Sequence, residues 1–88
     1  MDINLADVTI HVDQDLDTEA RADLEDKFRA RDGIVSVHFN DQRPHLIVCE
    51  FVPEKVNTMD LLSILRFQGY RGELVGLKRG RFPSSFNL

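Results

Sequence analysis

The sequence predicts an α+β fold in which two helices cover one face of a four-stranded antiparallel sheet, in the order βαββαβ. Segments with apolar residues at every second position alternate with segments whose apolar residues recur at helical spacing. A glycine follows each helical segment, at positions 33 and 69, where a left-handed residue commonly ends a helix. The 88 residues are enough for one such domain with a single small core.

The first half contains a strand and a helix. Residues 8–12 alternate apolar and polar side chains, which predicts a half-buried strand with His11 on its outer face. The helix is expected to begin near Asp17 or Thr18, because either side chain can accept a hydrogen bond from a free backbone N–H. Apolar residues at i, i+4 and i+8 form its inner stripe, namely Ala20, Leu24 and Phe28.

Two further strands are expected in the middle of the chain. Residues 34–39 alternate again, which predicts a second strand. The side chains expected to face inward are Val35, Val37 and Phe39. Residues 45–52 form an almost continuous apolar run, which is typical of a central strand.

The second helix is expected at residues 58–68 and the last strand at residues 70–77. The helix has a wider apolar arc than one sheet face requires, made of Leu61, Leu62, Ile64, Leu65 and Phe67. Residues 1–77 are therefore expected to form one domain, and residues 78–88 an irregular basic tail. The arrangement is ferredoxin-like, and it leaves the second face of the sheet bare.

Composition argues against several kinds of partner. The net charge is −4, whereas nucleic-acid binding requires a basic surface. No apolar run approaches the ~20 residues of a membrane-spanning helix, and residues 1–4 do not resemble a secretory signal. The single cysteine, Cys49, fits a reducing compartment. We therefore expect a cytoplasmic protein that binds neither nucleic acid nor membranes.

Four segments carry a family resemblance. Residues 12–28 have the length and apolar spacing of a known metal loop and the helix after it. Residues 33–37 are similar to Gly-Val-x-x-Val, residues 49–56 to Val-x-Tyr-Asp-Pro-x-x-Val, and residues 62–70 to Ile-x-x-Ile-x-x-x-Gly-Tyr. Together they resemble the heavy-metal-associated (HMA) domains of mercury and copper chaperones and of copper-pumping ATPases. The resemblance spans residues 8–76 and implies the same ferredoxin-like fold.

The resemblance also implies where a metal would bind. The family writes its loop as Gly-Met-x-Cys-x-x-Cys, and two thiolates hold one soft ion. Placed without gaps, Asp17 and Ala20 stand at the two cysteine positions. Soft ions prefer sulfur, whereas carboxylates suit hard ions, and Cys49 is expected to be buried in another part of the chain. We predict a degenerate member that has lost soft-metal binding and has no cofactor.

The loop before the first helix is acidic. Its carboxylates are candidates for a weak hard-metal site, namely Asp13, Asp15, Asp17 and Glu19. A helix-loop-helix calcium site would need Gly and Glu where the chain has Thr18 and Leu24. The other interpretation is a solvated turn that caps the helix. A small-ligand or hard-metal sensor that uses residues 13–19 is therefore an alternative function.

Two histidines are expected on the open face of the sheet, without a recognisable group of catalytic residues. His11 and His38 are expected there, on either side of the strand that contains Val48. They are either polar surface residues or ligands of a zinc site that forms across a dimer. The sequence has no glycine-rich phosphate loop and no nucleophile elbow, so we do not expect an enzyme.

The remaining hypothesis is a non-catalytic protein-interaction or accessory module. Apolar side chains are expected to be exposed on the open sheet face and on the second helix, and such strips often mark contact sites. The residues expected to take part are His11, His38, Leu46, Val48, Leu61, Ile64 and Phe67. A homodimer is its simplest form. The helix residues could instead be core, and the tail with Phe82 and Phe86 could either dock on a partner or be disordered.

Overall fold

The computed structural model describes the backbone of residues 2–83 and the side chains of residues 4–78. The elements are β1 Asp2–Val12, α1 Thr18–Arg29, β2 Ile34–Phe39, β3 Leu46–Phe51, α2 Thr58–Phe67 and β4 Gly72–Pro83. The four strands form one antiparallel sheet in the order β2-β3-β1-β4. This arrangement confirms the predicted ferredoxin-like fold. Neither helix in the described residues is long and apolar enough to cross a membrane.

The core lies between the sheet and the two helices. Leu24 and Phe28 of α1 and Leu61 and Leu65 of α2 are almost completely buried. They pack against the inward side chains of the sheet, which include Val8, Ile10, Val12, Val37, Phe39, Ile47, Cys49 and Phe51. The prediction of Leu61 as an interaction residue is wrong, because its side chain is 0% exposed. The wide apolar arc of α2 had left open which of its leucines faces the sheet.

Strand β2 departs from simple alternation at its first residues. Ile34 pairs with Phe51 of β3 and Ser36 pairs with Glu50, so Val35 is an extra residue in the ladder. This bulge turns Val35 outward, where it is 53% exposed. The prediction that Val35 faces inward is therefore wrong. From Val37 onward the alternation is as predicted.

Strands β1 and β4 are longer than predicted. They pair along their whole length, from Asp2 opposite Pro83 to Val12 opposite Gly72. Residues 78–83 therefore continue β4 and are not irregular, because residues 2–7 of β1 supply their hydrogen-bonding partners. Phe82 lies within this strand, and Phe86 lies outside the described residues.

Gly72 allows the start of β4 to approach α2 closely. A Cβ at this position would clash with Leu65 Cδ1 and would lie 3.2 Å from the backbone oxygen of His11. The glycine therefore fits a site where strand and helix are in direct contact, and it does not break the strand.

Candidate functional site

Asp17, at the first expected cysteine position, is the N-cap of α1. Its backbone is extended (φ −74°, ψ 175°), and its Oδ1 accepts a hydrogen bond of 2.8 Å from the backbone N–H of Ala20. The capping interpretation is therefore confirmed for this residue. Ala20, at the second expected cysteine position, contributes only a methyl side chain in the first turn. Neither side chain offers a ligand for a soft ion.

The other acidic residues of the loop point to different partners. Asp15 Oδ1 lies 2.8 Å from His45 Nε2, and Asp13 Oδ1 lies 3.4 Å from His11 Nδ1. Glu19 is exposed in the first turn of α1. Among the described residues the four carboxylates of this loop form no common cluster of candidate ligands.

His45 is held at both ring nitrogens. Its Nδ1 lies 2.7 Å from the backbone oxygen of Val12, and its Nε2 contacts the Asp15 carboxylate. Contacts at both nitrogens fix the orientation of the ring. The ring stacks on His11, with centroids 5.3 Å apart and planes 13° from parallel. These contacts fix the position of His11 from one side.

His11 belongs to the one group of candidate metal ligands that the described residues contain. One ligand atom each from His11, Asp13 and Glu73 lie within 4.8 Å of one another. Glu73 lies directly opposite His11 in the β1–β4 ladder. Sequence reasoning missed Glu73, because its closeness to His11 depends on the register of two strands 62 positions apart in the chain. His38 is not part of this group, since it lies on β2 opposite Val48.

Cys49 cannot replace the missing thiols. Its side chain is fully buried on β3, as predicted. Burial, together with the negative charges of Asp7 and Glu50, raises the pKa of this thiol to about 12. A protonated thiol inside the core is neither a nucleophile nor a metal ligand.

The open face of the sheet combines apolar and acidic side chains. Leu46 and Val48 are only half-exposed there. Glu50 is a neighbour of both Asp7 and Val48 on this face. Its pKa is raised above the ordinary value, first by burial and then by the charge and the hydrogen bond of Asp7.

The most exposed large apolar side chains lie elsewhere. Phe67, at the end of α2, is 88% exposed, in agreement with its prediction as a surface residue, whereas Ile64 is half-buried against the core. Strand β4 exposes Leu74, Val75 and Leu77, which are 39%, 56% and 46% exposed. Sequence reasoning did not select these three residues, because their exposure depends on how β4 pairs with β1 and on its position at the edge of the sheet.

Solved structures of metal-handling domains share this architecture. One of them is the N-terminal domain of a potential copper-translocating P-type ATPase from Bacillus subtilis in its Cu(I)-loaded state. It superposes with a TM-score of 0.76 and 15% sequence identity, and the match covers 84% of this chain and 91% of that domain. Oxidised MerP from Ralstonia metallidurans superposes with a TM-score of 0.73, covering 82% and 99% at 15% identity. The chain has the fold of a heavy-metal-associated domain.

Further comparisons agree on this HMA fold. The CopZ metallochaperone superposes with a TM-score of 0.69 and 16% identity, covering 76% of this chain and 98% of CopZ. No protein-family model matches the sequence, and no curated protein is significantly similar to it. At such low identities the likeness establishes the fold alone. The ions that those proteins bind are properties of those proteins.

Proposed function

We propose that this domain is a non-catalytic protein-interaction module of HMA fold that has lost two-thiolate metal capture and pairs with a second copy of itself. The observation that carries the proposal is the exposed edge strand β4, with three apolar side chains within four residues. The side chains at the two expected cysteine positions, Asp17 and Ala20, support the loss of metal capture.

A two-coordinate site for a soft ion needs two sulfur ligands that can meet. In this chain the carboxylate at the first position is already hydrogen-bonded to the helix that it caps, and the second position has only a methyl group. The remaining thiol, Cys49, is buried and held protonated. The HMA architecture is thus retained while its usual metal ligands are replaced.

The outer edge of β4 is suited to pairing with another strand. The sheet order leaves β4 with a partner on one side only, so a row of its backbone groups is open to another chain. Edge strands in monomers are usually short or protected by charges and prolines. Charged residues of β4 flank residues 74–77 on both sides, but this central part of the strand exposes Leu74, Val75 and Leu77. We infer that a second strand covers them.

The pattern of side chains along β4 is complementary to itself. Ile10 of β1 pairs with Leu74 and Thr9 with Gly76, so Val75 is an extra residue. This bulge places Glu73 and Lys78 on the same face of the sheet, and Leu74 and Leu77 on the other.

If two β4 strands pair antiparallel about a two-fold axis between Val75 and Gly76, Glu73 lies opposite Lys78 of the partner subunit and Leu74 lies opposite its Leu77. An isologous dimer requires such self-matching contacts. Opposite charges and apolar pairs across neighbouring strands contribute roughly 0.2–1 kcal/mol each.

Sedimentation velocity across a wide range of protein concentration tests this dimer. The wild-type chain should show a concentration-dependent dimer. Lys78→Glu should weaken it, because it places two glutamates opposite each other, and the double change Glu73→Lys with Lys78→Glu should restore it. Phe67→Ser is the matched control, because Phe67 is highly exposed but lies on α2.

Two results would contradict this interface. One is a wild-type chain that stays monomeric at every concentration. The other is a dimer that survives Lys78→Glu and is lost in Phe67→Ser, which would move the interface to α2.

A further inference from the structure

We propose that His11, Asp13 and Glu73 form a binding site for a divalent ion of borderline softness, with Zn²⁺ as the best match. The site lies on the open sheet face, at the end of β1 that leads into the acidic loop. It differs from the two-thiolate site of HMA domains in ligand type and in position. It is also distinct from the predicted acidic-loop site, with which it shares only Asp13.

The backbone places the three side chains together. His11 and Asp13 are two residues apart at the end of β1, and Glu73 faces His11 from β4. Their ligand atoms lie within 4.8 Å of one another. Ligands around a tetrahedral zinc ion are ~3.3 Å apart for metal–ligand distances of ~2.0–2.1 Å. Small rotations of exposed side chains are enough to close this difference, since Asp13 and Glu73 are on the surface.

His11 Nδ1 gives independent support to the site. The atom has no access to solvent and no hydrogen-bond partner among the described residues. The oxygen of Asp13 at 3.4 Å does not meet the geometry of a hydrogen bond. A buried nitrogen without a partner is unfavourable, and nearly all such groups in proteins are satisfied. A metal ion shared with Asp13 and Glu73 would satisfy it.

The surroundings hold the imidazole in place. His45 stacks on His11, and its own ring is fixed by the backbone oxygen of Val12 and by Asp15. Groups that orient a metal-ligating histidine commonly change metal affinity by 10–100-fold.

The ligand set selects the class of ion. One neutral imidazole and two carboxylates supply two negative charges for a divalent cation. Imidazole suits zinc and its transition-metal neighbours, whereas Cu(I) requires soft sulfur ligands. Calcium needs six to eight oxygen ligands, which these residues do not provide. Three protein ligands leave a fourth position for water or for a group of a binding partner.

The site does not depend on the proposed dimer. All three ligands come from one chain. Glu73 has two carboxylate oxygens, so one can bind the metal while the other accepts a hydrogen bond from Lys78 of the partner subunit. Loss of dimerisation and loss of metal binding can therefore be measured separately.

Calorimetric titration of the metal-stripped full chain with Zn²⁺ tests the site directly. We expect one ion per chain. Co²⁺ should give visible absorption typical of a site with nitrogen and oxygen ligands. His11→Ala and Glu73→Gln should each weaken binding at least tenfold, with circular dichroism confirming that both variants are folded.

Two controls separate this site from other acids and histidines. His38→Ala removes the other histidine expected on the same face, and Glu19→Gln removes an acid near the same loop, and both should leave Zn²⁺ affinity unchanged. The proposal is overturned if the wild-type chain shows no saturable one-to-one binding. It is also overturned if the control variants reduce the affinity as much as His11→Ala and Glu73→Gln.

Discussion

Asp17, at the first expected cysteine position, offers the clearest test of the helix-capping role. Asp17→Ala removes the hydrogen bond of 2.8 Å to the N–H of Ala20 and a negative charge at the N-terminus of α1. Loss of a cap of this kind costs about 1 kcal/mol, and loss of the charge costs about 0.3–1 kcal/mol. We expect the free energy of unfolding to fall by about 1–2 kcal/mol in total. For a domain of this size, 1 kcal/mol corresponds to a change in Tm of about 4–8 °C.

Urea unfolding followed by circular dichroism measures this change. Asp17→Asn keeps a capping oxygen and should lose less than about 1 kcal/mol. Glu19→Gln is the matched control, because Glu19 is in the same turn and should cost no more than a dipole interaction. The loss in Asp17→Ala should be the same with EDTA and with added divalent ions. If Asp17→Ala leaves stability unchanged, or destabilises only when metal is present, Asp17 is not a structural cap.

Three further changes test the core and the backbone. Because the pKa of Cys49 is raised in the folded state, the thiol ionises first in the unfolded chain as the pH rises above 9. The free energy of unfolding, measured with urea, should therefore fall more steeply with pH in wild type than in Cys49→Ala, by up to about 1.4 kcal/mol per pH unit. The raised pKa of Glu50 means that its charged form is disfavoured in the folded state, so Glu50→Gln should raise Tm at neutral pH. This gain in Tm should disappear in acid, where Glu50 of the wild type is also protonated. Gly33→Ala should lower the free energy of unfolding by about 1–3 kcal/mol, and by more than Gly69→Ala. Both glycines have positive φ (99° and 84°), but only at Gly33 would the new Cβ lie 2.7 Å from another side chain. Equal losses of stability in urea unfolding would contradict this difference.

Local sequence patterns were sufficient for the fold. Alternation over residues 34–39 and 45–52, and helical spacing from Asp17 to Phe28, predicted the order of elements. Gly69 follows the C-cap of α2 in the left-handed conformation, as predicted, whereas α1 already ends at Arg29 and Gly33 belongs to the turn after it. Capping chemistry depends on residues only a few positions apart. It therefore placed the start of α1 correctly and limited the cap to Asp17 or Thr18, of which the structure has Asp17.

Features that depend on strand pairing were not predictable in this way. The bulges at Val35 and Val75 change which side chains face inward, and a bulge is defined only by the partner strand. The proximity of Glu73 to His11 has the same origin. The arc of α2 also left its facing side undecided, because Leu61 and Leu62 are equally apolar and only packing buries the first of them.

The most direct test of the proposed loss of soft-metal binding is Cu(I) competition against a chromophoric chelator, under anaerobic reducing conditions. Wild type should take no Cu(I) from the chelator. The double variant Asp17→Cys with Ala20→Cys, which restores two thiols on the same backbone, should take one ion per chain and serves as the positive control. Tight uptake of one Cu(I) per wild-type chain would contradict the proposal that this domain has lost soft-metal binding.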